Sequence, residues 1–280
     1  MTGGGGADGD GFPSAPKDDL VFDTSVAHQA RLYNYLLGGK DHYAADRAYA
    51  RSLTAINPAV PAMARANRDF LGRAVRFLAG EAGVSQFLDI GTGIPAPGGT
   101  HEVALSVRPD ARIVYVDNDP VVLAHAHAFR TGHGPGATDY VDADVRDPEA
   151  ILRRAAKTLD FGEPVGLLLL MILHAIPDGD DPYGAVATLV DALPSGSYLA
   201  VSHMTADQAG PEADERFREI TRRESRHQYT NRSRAEVARF FEGLDLVEPG
   251  LVPHQDWRPD REDKEMAGII SLWAGVARKP

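Results

Sequence analysis

The chain has no cysteine among its 280 residues, which excludes a disulfide framework, a thiolate metal site and a cysteine nucleophile. It is also poor in positive charge: 29 Lys and Arg face 40 Asp and Glu, for a formal net charge of −11. A surface that neutralises many phosphates must be basic, so nucleic acid is a poor partner. The longest apolar run, Val165–Ile176, is interrupted by His174 and falls short of the roughly 20 helical residues that cross a bilayer. Met1–Asp8 has neither the basic start nor the apolar stretch of a signal peptide. No internal repeat is present. A soluble, cytoplasmic protein without a membrane partner is expected. The oligomeric state is left open.

The length fits one α/β domain with additions. Residues 1–19 are Gly, Asp, Ser and Pro with few apolar side chains, which predicts a flexible tail. Residues 20–85 read as a helical cap. Val26, Tyr33, Leu36 and Leu37 recur at helical spacing over Ser25–Leu37, with Ser25 as the cap and Gly38–Gly39 as the stop. Two further helices fall near Tyr43–Ala55 and Val60–Ala79. From residue 86 to 280, apolar runs alternate with helical stretches, as in a mostly parallel sheet with helices on both faces. Strands are expected at 86–90, 112–117, 138–142, 165–173 and 197–203, with helices near 100–108, 120–130, 148–159 and 182–192. Beyond Pro211 the pattern gives helices at 211–228 and 233–242, then two late strands, Leu244–Val247 and Ile269–Ala277.

The chemistry starts at Phe87–Leu88–Asp89–Ile90–Gly91–Thr92–Gly93, an apolar strand that ends in a glycine turn where backbone must approach a ligand. The next strand ends at Asp117 and the third runs into Asp142–Ala143–Asp144. Acids at successive strand ends point to a nucleoside-binding crevice. Gly91, Gly93 and Ala96 match G-x-G-x-x-A, so an NAD(P)-dependent oxidoreductase must be weighed. That motif needs its helix to begin inside the turn. Here Pro95, Pro97, Gly98 and Gly99 prolong the loop, with Thr100 as the expected cap. Asp117 lies 26 residues beyond Gly91, later than the roughly 20 of the dinucleotide fingerprint. S-adenosylmethionine carries no phosphate and suits the loop better. A carboxylate such as Asp117 accepts both hydroxyls of a ribose diol, and Asp144 can accept from an adenine amine.

The sequence resembles the class I S-adenosylmethionine-dependent methyltransferases. More narrowly, it is similar to a bacterial S-adenosyl methyltransferase family, formerly a domain of unknown function. The resemblance runs through Arg31–Tyr43, Phe87–Gly93, Val114–Pro120, Asp142–Pro148 and Trp273–Lys279. It implies a Rossmann-like α/β fold with a seven-stranded sheet whose last strand is antiparallel. It also implies a cofactor set of Asp89, Gly91, Thr92, Gly93, Asp117, Asn118, Asp144 and Val145, in which the glycines line the cofactor, Asp117 holds ribose and Asp144 reads adenine. It names no acceptor.

Leu173–His174 at the end of the fourth strand resembles the Leu–His segment of small-molecule O-methyltransferases, in which the histidine is the base. His174 is therefore the candidate catalytic residue, to deprotonate or orient a small-molecule acceptor. Tyr33, Tyr35, Lys40 and His42 are candidate acceptor contacts on a lid. No metal is expected: Asp178, Asp180 and Asp181 read as turn and cap residues. His125 and His127 read as surface residues. Arg216, Arg218, Arg222, Arg223, Arg226, Arg232 and Arg234 read as a solvated stretch of ion pairs. A non-catalytic S-adenosylmethionine-binding protein is the remaining alternative.

Overall fold

The computed structural model describes residues 23–126, 136–225, 229–260 and 266–280. The expected tail, His127 and Arg226 lie outside the described residues. Strands β1 (Gln86–Ile90), β2 (Arg112–Asp117), β3 (Thr138–Asp142), β4 (Gly166–Leu170) and β5 (Tyr198–Met204) are parallel. The last strand, β8 (Leu272–Arg278), runs antiparallel beside β5. The two-residue strands β6 (Asp245–Leu246) and β7 (Val252–Pro253) both pair with β8. The order β3-β2-β1-β4-β5-β8-β6 forms a path of seven strands, with β7 as a short addition.

Both faces of the central strands are buried, which is why they read as unbroken apolar runs. Leu88, Ile90, Leu167 and Leu169 point to the face covered by α6 (Pro148–Ala155) and α7 (Pro182–Asp191), where Ile151 and Leu189 pack. Phe87 and Leu168 point to the other face, against Phe70, Ala74 and Val75 of α3 (Val60–Arg76) and Ala104 of α4 (Thr100–Val107). No helix among the described residues is long and apolar enough to cross a membrane.

Several boundaries differ from the expectation, for local reasons. The fourth strand stops at Leu170 rather than 173: Met171 still donates its N–H to Ser202 O of β5 at 3.0 Å, but turns into the left-handed region (φ 55°) and ends the extended run. Gly99, not Thr100, occupies the N-cap of α4; the Thr100 hydroxyl is spent on Asp89 at 2.6 Å. In α1 (Gln29–Leu36) the N-cap is His28, while Ser25 bonds Asp23. The last two strands shrink to Asp245–Leu246 and Leu272–Arg278.

Helices α1, α2 (Ala44–Ile56) and the first half of α3 enclose a third apolar cluster that includes Leu32, Tyr49, Leu53 and Met63. Two features of the Arg31–Tyr43 motif hold them. Asp46, fully buried, accepts from His28 N (2.9 Å), Tyr43 N (2.7 Å) and the 3 % exposed Arg31 guanidinium (3.2 Å). After α1 the chain folds back over Asn34, whose Oδ1 accepts from Asp41 N at 3.0 Å. A Cβ at Gly39 would overlap the Asn34 amide, so the second glycine is required by this close approach. Replacing Asp46 with Ala strands a buried guanidinium and two N–H groups. Denaturant unfolding should show a loss of about 3–5 kcal/mol.

Candidate functional site

Strand order reverses between β1 and β4, and a crevice opens outside the carboxyl ends of a parallel sheet at such a point. The cleft found there is open to solvent and is roofed by α1 and α3. Asp89, Gly91, Thr92, Gly93, Asp117, Asn118, Asp144 and Val145 all line it. They arrive from the ends of β1, β2 and β3.

The glycine turn is fastened to β2. Gly91 N and Thr92 N donate to Val116 O at 2.8 and 3.3 Å, and Gly93 N donates to Asp117 Oδ2 at 2.8 Å. Gly91 has φ +77°, and a Cβ there would meet the Ile172 side chain at 2.7 Å, so the close approach of the segments that follow β1 and β4 requires glycine. Asp117 Oδ1 accepts from Asp119 N at 2.9 Å. With one N–H on each oxygen the carboxylate retains two acceptor sites, enough for a diol. Burial raises its pKa, against the pull of those N–H groups.

Asp144 is in a different state. Its Oδ1 takes Arg146 N and Nε at 2.9 Å each, and its Oδ2 takes Arg146 Nη2 at 2.6 Å and Asn118 Nδ2 at 2.9 Å. Four bonds fill its lone pairs, and Arg146 above all holds its pKa below the ordinary value. Any further donor has to displace one of these bonds. The Arg146 side chain, 54 % exposed, is the partner able to leave.

α1 contributes the roof. His28 Nδ1 meets Asp119 Oδ2 at 2.5 Å. Gln29 lines the cleft and gives one amide hydrogen to Met171 O (2.7 Å) and the other to His174 Nε2 (3.2 Å). His174 itself is 1 % exposed and does not line the cleft; Gln29 stands between. Tyr33 does line it, and its hydroxyl donates to Ala64 O at 3.0 Å. Tyr35 and His42 pack edge to face at 4.9 Å away from the cleft, His42 beside Arg47, and Lys40 is exposed.

The aspartates beyond β4 are occupied locally: Asp181 caps α7, Asp180 faces Arg146 and Asp178 faces Arg232. In α8 (Pro211–Glu224), Arg218, Arg222 and Arg223 pair with acids as expected. Arg232 corrects that reading. It is 1 % exposed and donates to Leu173 O (3.0 Å), Ile176 O (2.9 Å), Asp178 Oδ1 (2.6 Å) and His203 Nε2 (2.8 Å). His203 donates from Nδ1 to Met204 O and stays neutral, its pKa held down to about 3 by burial. Arg232 thus clamps the loop after β4. One arginine among charged neighbours gives no sequence signal for this, and neither do His28, Gln29, Asn67 and Arg68, which line the cleft from helices.

A family model described as S-adenosyl methyltransferase matches residues 16–280. The chain is similar to a DUF574 family protein from Streptomyces avermitilis MA-4680: 44 % identity, TM-score 0.84, covering 92 % of this chain and 99 % of that one. It is also similar to a protein from Thermobifida fusca YX provisionally assigned as a methyltransferase: 41 % identity, TM-score 0.84, covering 94 % and 98 %. The comparison with curated proteins finds no match.

Burial pushes the Asp89 carboxyl up to about 6 from 3.8, only partly offset by Thr100 and Arg68. The native state then holds this proton more tightly than the unfolded chain, so stability falls as pH rises from about 4 to about 6. The full penalty, on the order of 3 kcal/mol at 1.36 kcal/mol per pKa unit, applies above that range. An Asp89→Asn variant keeps an acceptor for Thr100 and escapes the penalty. It should unfold at higher denaturant than the parent at pH 7.5, by about 1–3 kcal/mol, with the gap closing by pH 4.

Proposed function

The chain belongs to the S-adenosyl methyltransferase family, and from that premise we propose that it methylates a small-molecule acceptor held under the α1 roof. Its cofactor is S-adenosylmethionine, which supplies, when bound, a methyl group on a sulfonium centre. The observation that carries this reading is the convergence of the eight strand-end residues on one cleft. The residues fit the cofactor's chemistry: two acceptor sites remain on Asp117 for a ribose diol, and Gly93, at φ +68° with no side chain nearer than Ala30, leaves the turn open to a ligand. In this reading Asn118 and Val145 flank the adenine. Asp144 takes the adenine amine in exchange for one bond to Arg146.

The acceptor side lies at the end of β4, where Gln29, Met171, Ile172 and Ala175 line the cleft. With both amide hydrogens engaged, Gln29 offers its Oε1 as an acceptor to a substrate hydroxyl or amine. His174 serves as a positioning residue: its Nε2 fixes the rotamer of Gln29, and orientation of this kind is what an in-line displacement requires. Tyr33 contributes an aromatic wall. Tyr35, Lys40 and His42 lie off this cleft and have no part in the reading. The net charge of −11 supports a small acceptor over a polyanion.

Calorimetric titration should show binding of S-adenosylmethionine and S-adenosylhomocysteine and none of NAD or NADP; the reverse overturns the reading. Asp117→Ala should weaken S-adenosylhomocysteine by about 100-fold or more, as expected for losing two charge-assisted hydrogen bonds. Once a screen with labelled methyl donor identifies an acceptor, His174→Ala should leave S-adenosylhomocysteine affinity within about threefold while kcat falls at least tenfold, on the order of the cost of lost orientation. Equal kcat in the variant removes His174 from the proposal.

A further inference from the structure

The cleft is also lined by two neighbours on α3 whose hydrogen-bonding capacity the fold does not use up. Asn67 lines the cleft at 4 % exposure. The Tyr33 hydroxyl donates its hydrogen to Ala64 O (3.0 Å), so it can only accept from Asn67, and Asn67 Nδ2 duly lies 3.0 Å away. That chain of bonds fixes the orientation of the amide. Asn67 Oδ1 is left buried with no hydrogen-bond partner, which in a native interior calls for an explanation.

Arg68 lines the same cleft. Its Nε and Nη2 donate to Ala96 O and Pro97 O at 2.6–3.4 Å, and no carboxylate among the described residues pairs with it. The guanidinium is half-buried, and its charge lowers the pKa of Asp89 across the cleft. A cation with unused N–H groups therefore stands beside an unpaired neutral acceptor and a reluctant carboxylate.

A zwitterion has the complementary arrangement, an anionic carboxylate beside an ammonium. We propose that Asn67 and Arg68 bind the α-amino acid end of the cofactor, Arg68 taking the carboxylate and Asn67 Oδ1, with Asp89, the ammonium. The proposal rests on the cofactor reading above. It explains both loose ends at once: a guanidinium is suited to grip a carboxylate, and the orphaned amide oxygen gains a charged donor.

The test compares S-adenosylhomocysteine with 5′-methylthioadenosine, which keeps the nucleoside and thioether but lacks the amino acid end. The native chain should bind the former at least about 30-fold more tightly, as expected for charged hydrogen bonds in a partly buried site. Arg68→Met should cut S-adenosylhomocysteine affinity by about 10-fold or more and leave 5′-methylthioadenosine within about twofold. Asn67→Leu should show the same pattern, which covers the case in which one variant fails to fold. Equal loss for both ligands would mean that Arg68 acts only by bracing the Ala96–Pro97 turn, and it overturns the proposal. Equal affinity of the native chain for the two ligands overturns it too. If the native chain binds neither ligand, the cofactor reading itself fails.

Discussion

One carboxylate, that of Asp46, ties together the amino-terminal helices that roof the cleft. It ties the N-terminus of α1 through His28 N, the side of α1 through Arg31, and the start of α2 through Tyr43 N. These ties work together with the bonds of His28 to Asp119, Gln29 to Met171 O and Tyr33 to Ala64 O, which hold α1 above the strand ends. A buried ion pair is weak evidence for stability, because desolvation offsets much of the attraction. Its contribution here is direction: three backbone or side-chain donors converge on one acceptor pair, and other packings of the helices leave a buried charge unsatisfied.

The opposite wall of the cleft depends on a comparable clamp. Arg232 reaches back more than 50 residues along the chain to the carbonyls of Leu173 and Ile176. This holds the β4 loop in the path that the left-handed Met171 begins. His203 completes the clamp only as a neutral ring, since a proton on Nε2 would face the guanidinium. Roof and wall are thus each fixed by one buried arginine, and each arginine finds its partners at different distances along the chain.

What could be read from the residues follows from this. Parallel strands buried on both faces announce themselves by apolar runs, and β1 and β2 have the expected bounds; so does the partly buried β3, marked by Tyr140–Val141 before its acids. The glycine turn and the acids at the strand ends are local patterns, so their convergence on one cleft was legible as well. The lining from α1 and from the loop after β4 was not. Whether His174 faces the cleft or stands behind Gln29 depends on the pitch of α1, set by contacts some 145 residues apart. The Gly38–Gly39–Lys40–Asp41–His42 segment looked like a lid because its composition exceeds what a helix stop needs. In the structure the excess goes into folding the chain back over Asn34. Arg232 was hidden among arginines that are solvated, since nothing local distinguishes a buried cation from an exposed one.

The position of β8 has a consequence for how the fold is reached. Strands β1 to β5 can assemble through short crossovers, each new strand docking on one already in place. β8 does not, because more than 60 residues separate it from β5, whereas β6 and β7, which pair with it, lie closer to it along the chain. Closing such a loop costs entropy before any contact rewards it. The carboxyl-terminal strands are thus nearer to one another in sequence than to the sheet they complete, and the docking of β8 on β5 carries the larger entropic cost.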